Sequence, residues 1–207
     1  MIYDTIKQQL HQGIKILGIP TNDALIEALS HYLHLLEKWN KTYNLTAIRD
    51  INAMVALHIL DSLSVLPHVK GTTILDIGTG AGLPSIVWGL VHPEWQLTPL
   101  DSKNKKIRFI TQAVLELQLK NISPTCQRIE NFTPKQKFDC IVSRAYTDLH
   151  RFYQQSRPLC KATGQILAMK GQLPLEELKK LDQAGIAYEV HILDVPQLEA
   201  KRHLIIM

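Results

Sequence analysis

A chain of 207 residues, 45% of them hydrophobic, can bury one substantial core and has no room for two large domains. No apolar run approaches the roughly 20 residues that span a bilayer, and charges and amides occupy the start of the chain where a signal peptide is apolar, so a soluble, cytoplasmic protein is expected. The formal charge of +4 leans mildly toward an anionic partner, and three cysteines without Cys-x-x-Cys spacing argue against a disulfide framework and a zinc knuckle.

The first seventy residues read as helical. From Asp23 to Trp39, the residues Leu25, Ile26, Leu29, Leu33, Leu36 and Trp39 recur at helical spacing, with Glu27, His34 and Lys38 off the stripe. A second helix is expected from Ala53 to Leu66, ended by Pro67 and Gly71. This annex, residues 1–70, has one face to bury against the body, residues 71–207.

Beyond it, strand and helix alternate. Strands are expected at Thr72 to Leu75, Gln96 to Leu100, Ile122 to Cys126, Phe138 to Val142 and Gln165 to Met169. Helices are expected from Ser85, from Lys103 to Leu117, over Leu149 to Gln155 and over Glu176 to Gln183. Two closing runs, Ala187 to Leu193 and His203 to Met207, lie too close in sequence for a parallel crossover and should pair antiparallel. The fold class is therefore α/β: a mainly parallel, Rossmann-like sheet with a C-terminal antiparallel hairpin and an N-terminal helical annex. Pro99 deletes a ladder donor inside the second strand, which suggests a bulge or an early end there.

The turn after the first strand, Asp76-Ile77-Gly78-Thr79-Gly80-Ala81-Gly82-Leu83-Pro84, carries the chemistry. Glycines in a strand-to-helix turn let backbone approach a ligand where a Cβ would intrude. Asp101 ends the second strand, twenty-five residues after Asp76, at the distance expected of a carboxylate that grips a ribose diol. The same aspartate also suits the entry of the helix ahead of Lys103. An α/β turn without any ligand uses similar residues, so the turn by itself is not decisive.

Several ordered segments make the reading specific. The turn resembles the first motif of class I methyltransferases. Trp39 to Asp50 (WNKTYNLTAIRD), His58 to Leu63 (HILDSL), Phe138 to Tyr146 (FDCIVSRAY), Leu167 to Pro174 (LAMKGQLP) and the terminal RHLIIM from Arg202 resemble the bacterial ribosomal RNA small subunit methyltransferase G family, also called glucose-inhibited division protein B. The resemblance implies a seven-stranded class I sheet and transfer of a methyl group from S-adenosyl-L-methionine, leaving S-adenosyl-L-homocysteine. The implied target is N7 of one guanine, guanine-527 in conventional rRNA numbering, in 16S rRNA within the small ribosomal subunit. A monomer without DNA or membrane partners is expected. The resemblance also puts cofactor contacts on Gly78, Leu83, Ile129, Glu130 and Arg144. Ser85 stands where the family often has glycine, and Leu57 where it commonly has a basic residue.

Roles follow from chemistry beside the resemblance. Gly78 and Gly80 would give close approach to the amino-acid part of the cofactor, Asp76 would order the loop, Asp101 would hold the ribose, and Ile129 and Glu130 would flank the adenine. The fourth strand ends in Ser143-Arg144-Ala145-Tyr146, not the Asn-Pro-Pro-Tyr type sequence of amino-group methyltransferases, and no cysteine follows a proline as in pyrimidine C5 chemistry. Guanine N7 carries an in-plane lone pair, so attack needs positioning and no general base. Arg144 is expected to align the reactants, with Ser143 and Tyr146 shaping the base pocket. His58, Asp61 and Ser62, part of a segment that carries the resemblance, are candidates for the pocket mouth. No metal is expected, because His, Cys and carboxylates show no ligand spacing.

Lys103, Lys105, Lys106 and Arg108 crowd the first turns of a helix, where cations oppose the macrodipole and cost roughly a few tenths of a kcal/mol each. That misfit points to phosphate, and Lys170, Arg151, Arg157, Lys201 and Arg202 are expected to extend the RNA-binding surface. A small-molecule methyltransferase, a nicotinamide dehydrogenase and a non-catalytic RNA-binding protein with a relic cofactor fold remain alternatives.

Overall fold

The computed structural model describes residues 2–144, 146 and 148–207. Its seven strands, β1 (Thr73–Ile77), β2 (Gln96–Asp101), β3 (Thr125–Cys126), β4 (Phe138–Ser143), β5 (Cys160–Lys170), β6 (Glu189–Leu193) and β7 (Arg202–Ile206), form one sheet in the order β3-β2-β1-β4-β5-β7-β6. Neighbours from β3 to β5 run parallel, while β7 is antiparallel to both β5 and β6. The order reverses between β1 and β4, so the ends of these two strands diverge into a crevice, which is where open α/β sheets hold ligands.

The helices are α1 (Ile2–Ile16), α2 (Asp23–Tyr43), α3 (Ile51–Met54), α4 (Asp61–Leu63), α5 (Ser85–Val91), α6 (Asn104–Glu116), α7 (Leu149–Ser156) and α8 (Leu175–Gln183). Strand alternation divides the core in two. Ile74, Cys140, Val142 and Leu167 face a cluster shared with α1, α2, α5 and α6, whereas Leu75, Ile141 and Ile166 face one shared with α7 and α8. The first cluster runs without a break from Ile6, Leu10 and Leu29 in the annex to Trp88 and Phe109 in the body. On α2 the buried face is wider than the sequence stripe, because Tyr32 and Leu35 join it.

Two expectations are corrected. The helix expected over Ala53 to Leu66 is composite: α3 passes into a π-helical segment, Val55–Leu60, and then α4, with a single 3₁₀ turn at Leu66–His68. Nothing in side-chain periodicity announces such a change of pitch, and π segments are frequent at functional sites. Pro99 makes neither a bulge nor an early end, since β2 keeps an unbroken register with β1 from Gln96 to Leu100. Gln96 donates its N–H toward β1, to Thr72 O at 2.7 Å, and Leu97 donates outward, to Asn121 O at 2.9 Å. By alternation the donor missing at Pro99 also points outward, where β2 meets only the two residues of β3 and a lone bridge at Ile122. The three cysteines are free, Cys126 exposed and the other two buried.

Candidate active site

The chain leaves β1 at Ile77 and reaches α5 at Ser85 through the glycine turn. Gly78, Gly80 and Gly82 have φ of +69°, +62° and +87°, a backbone region that side chains rarely tolerate. At Gly82 a Cβ would lie 2.7 Å from Ile86 Cγ1, so that glycine serves helix packing. At Gly78 a Cβ would meet nothing within 4 Å, because the residue borders open cavity. The turn is pinned from below by Gly78 and Thr79, which donate backbone N–H groups to Leu100 O at 2.8 and 3.2 Å. From the annex, fully buried Tyr32 donates its hydroxyl to Ala81 O at 2.7 Å.

Asp76 organises the turn from inside. Its Oδ2 accepts the Thr79 hydroxyl at 2.6 Å, the Ser85 hydroxyl at 2.8 Å and the Ser85 N–H at 3.3 Å. Its Oδ1 is buried with no partner among the described residues. Burial pushes the carboxyl up to about 7, against the pull of those hydrogen bonds and of Arg144. The serine at position 85 thus supplies a hydroxyl and an N–H to one carboxylate.

Two cavities flank the turn and Gly78 lines both. The smaller, about 210 Å³, is bordered by Asp101, Ile129, Glu130 and Tyr146. Asp101 is buried; its Oδ1 accepts the Lys103 N–H at 2.9 Å, and its Oδ2 accepts Gly80 N–H and Lys106 Nζ, each at 3.2 Å. The helix-entry contact and the place beside the ligand crevice therefore coexist in one side chain. Glu130 is exposed and bound by Arg151 and Gln155 at 3.3 and 2.9 Å.

The larger cavity, about 460 Å³, lies between Gly78, Gly80 and Leu83 on one side and Asp61, Arg144 and Arg202 on another. Its remaining wall is the α2–α3 connection. Asn40, buried at the end of α2, accepts the Thr46 N–H at 2.9 Å and donates to Ile48 O at 3.1 Å, which folds the connection back on its own helix. Arg144 donates to Leu57 O, a carbonyl of the π-helical segment, at 3.2 Å and lies 3.3 Å from His58 Nδ1. The His58 ring is also held by two further contacts, Nδ1 to Leu57 O at 3.0 Å and Nε2 to Thr46 Oγ1 at 2.9 Å. Burial first, then the Arg144 charge, lowers His58 to about 4, so the ring is neutral at neutral pH. Burial raises the Asp61 carboxyl, opposed by Arg144 and Arg202.

The structure brings Gly78, Gly80, Leu83, Arg144, Lys106, Lys170 and Arg202 to the larger cavity, and Asp101, Ile129 and Glu130 to the smaller. Some expected roles are corrected. Ser143 lines neither cavity; a buried hydroxyl must find an acceptor, and this one donates to Ile77 O at 2.7 Å. Tyr146 borders the smaller cavity and not the larger, because its ring packs on Phe152 at 5.1 Å and its hydroxyl donates to Gln155 on α7. Ala145, between them, lies outside the described residues. Lys170 is mostly buried, its Nζ held by both Glu177 oxygens and by Tyr146 O at 2.8 to 3.0 Å. Lys103, Lys105 and Arg108 are exposed on α6 and its approach. Sequence reasoning missed Thr46, Met169 and His203 as wall residues. All three belong to segments that carry the resemblance, in which these positions have no assigned role.

The model of the family described as rRNA small subunit methyltransferase G matches residues 25–205. The ribosomal RNA small subunit methyltransferase G of Laribacter hongkongensis is 44% identical over 200 residues, covering 97% of each chain. That of Chromobacterium violaceum is 46% identical over 200 residues, covering 96% of each. Among solved structures, a SAM dependent methyltransferase from Aquifex aeolicus superposes with a TM-score of 0.55 at 22% identity, covering 73% of this chain and 91% of that one. The glycopeptide N-methyltransferase MtfA complexed with S-adenosyl-L-methionine gives 0.58 at 8% identity, covering 72% and 86%. Likeness at these identities concerns the fold, which is the class I methyltransferase fold. The sequence relatives go further: this chain belongs to the rRNA small subunit methyltransferase G family.

Proposed function

We propose that this protein methylates N7 of guanine-527 in 16S rRNA of the small ribosomal subunit. The observation that carries the reading is the pair of cavities that share Gly78 as a wall, one lined as an adenosine site would be, the other walled by arginines and large enough for a base. S-adenosyl-L-methionine fits this arrangement, because the open side of Gly78 leaves backbone in reach of a ligand; it supplies a methyl group on a positively charged sulfur.

Asp101 is placed to accept the ribose hydroxyls, exchanging its bond from Gly80 or Lys106 for theirs. Ile129 and Glu130 flank the adenine position, and Gly78, Gly80 and Leu83 border the amino-acid part. Arg144, fixed by the Leu57 carbonyl and the neutral His58, aligns the reactants in the larger cavity. No side chain has to remove a proton, since N7 has none. The exposed Lys103, Lys105 and Arg108 meet RNA phosphates, and Lys106 links that surface to Asp101.

The experiment is incubation with small ribosomal subunits that lack the modification and with labelled cofactor, followed by mapping of N7-methylguanosine through reduction and strand scission. Label at guanine N7 is the expected result. Label on another atom or base, or none, overturns the reading.

A further inference from the structure

Asp61 is buried in the wall of the larger cavity, at the end of the π-helical segment, and is 5% exposed. Its two oxygens are not equivalent. Oδ1 accepts Arg202 Nε at 3.2 Å. Oδ2 lies 3.9 Å from Arg144 Nη1, beyond hydrogen-bond distance, and accepts no hydrogen bond from a described residue. Asp61 lines the cavity, so this unpaired carboxylate oxygen is open to it and free to accept from a ligand that enters.

We propose, resting on the guanine reading above, that Asp61 is the residue that selects guanine. Guanine presents two adjacent donors, N1–H and the 2-amino group, on its Watson–Crick edge, and a carboxylate accepts such a pair with its two oxygens. Adenine offers an acceptor at N1 in the same place, and that acceptor faces a carboxylate without a proton to share. The N7 edge lies on the far side of the ring from N1, so a base held by Asp61 turns N7 away from it, across a cavity that Gly78 also lines. Arg202 releases Oδ1 when an RNA phosphate takes its guanidinium, one charge-assisted bond replacing another.

Charge adds a second reason. Guanine N7 forms the new N–C bond while the C–S bond breaks and its electron pair stays on sulfur, so the ring acquires a positive charge and no proton moves. Arg144 and Arg202 alone would repel that cation. Asp61 between them offsets one charge, and its bonds to N1–H and the amino group strengthen as the ring becomes cationic, which is stabilisation of the transition state beyond that of the ground state.

The test compares reconstituted small subunits carrying guanine or inosine, which lacks the 2-amino group, at the target position. Wild-type enzyme is expected to slow at least about tenfold on inosine. Asp61→Asn is expected to slow about 100-fold on guanine, to bind S-adenosylmethionine with unchanged affinity by calorimetry, and to treat both bases alike. Asp61→Glu, which retains a carboxylate, keeps a guanine preference and carries the comparison if the asparagine variant does not fold. Equal wild-type rates on guanine and inosine, or an undiminished guanine preference in Asp61→Asn, overturn the role of Asp61. Absence of N7-methylguanosine from the wild-type product overturns the parent reading instead, so the two failures are distinct.

Discussion

Asp76 at the end of β1 and Ser85 at the start of α5 clasp the glycine turn between them, the serine giving both its hydroxyl at 2.8 Å and its N–H at 3.3 Å to one carboxylate oxygen. The turn is therefore closed by side-chain chemistry at its ends, and Gly78 and Gly80 are left to border the cavities.

Opening that clasp should abolish the ligand surface without dissolving the fold. Asp76→Ala is expected to weaken S-adenosylmethionine binding at least tenfold, while Ser85→Ala, which removes one hydrogen bond, costs about 0.5–1.5 kcal/mol of stability. Titration calorimetry and urea unfolding read the two quantities. Wild-type affinity in Asp76→Ala would show that the turn holds its shape unaided.

Arg144 stands where β4 meets the larger cavity, with its guanidinium fixed by Leu57 O and His58. Arg144→Ala is expected to depress methylation of small subunits by at least about tenfold, or ~1.4 kcal/mol in the barrier. Single-turnover rates at saturating cofactor check this, and an unchanged rate removes the arginine from the site.

The cations separate into two groups. Replacing Lys103, Lys105 and Arg108 with alanine should weaken subunit binding and flatten its dependence on salt, because released phosphate contacts set that slope. Cofactor affinity should stay as it was. Lys170→Met should do the reverse: its ammonium is enclosed by Glu177, so stability falls by about 3 kcal/mol as an unpaired acid is left behind, with the salt slope intact. Binding measured at several salt concentrations distinguishes them, and a flattened slope for Lys170→Met would return it to the RNA surface.

Two buried groups oppose each other in pH. His58 falls from 6.5 to about 4 on folding, so the folded protein binds fewer protons there; its contribution is complete above 6.5 and is lost as pH falls toward 4. Asp76 rises from 3.8 to about 7, and its contribution is complete below 3.8 and is lost as pH rises toward 7. The two slopes largely cancel in the wild type. In His58→Gln the first is removed, so the stability advantage of wild type over this variant should grow by about 2–3 kcal/mol from pH 4 to pH 6.5. Urea unfolding at both pH values tests it; a constant difference would mean that His58 takes up protons freely in the folded state.

Much of this protein follows from local pattern. Alternation of short apolar strands with helices fixes the α/β class, and two closing runs without room for a crossover fix the antiparallel edge, because chain length limits which pairings can close. The glycine turn is equally local: positive φ at Gly78, Gly80 and Gly82 is a property of those residues themselves. The site, by contrast, depends on which acceptors distant groups find. Ser143 and Tyr146 flank Arg144 closely in sequence, yet a carbonyl on β1 claims one and α7 claims the other. Asp61, His58 and Arg202 come together only because the sheet order brings β7 beside β5 and the annex folds over the strand ends, and the π-helical turn that carries His58 up to Asp61 leaves no mark in side-chain spacing. Sequence determined the scaffold through short-range sterics and hydrophobic period; tertiary packing decided the site, because burial forces each polar group to take the nearest partner that the assembled fold provides.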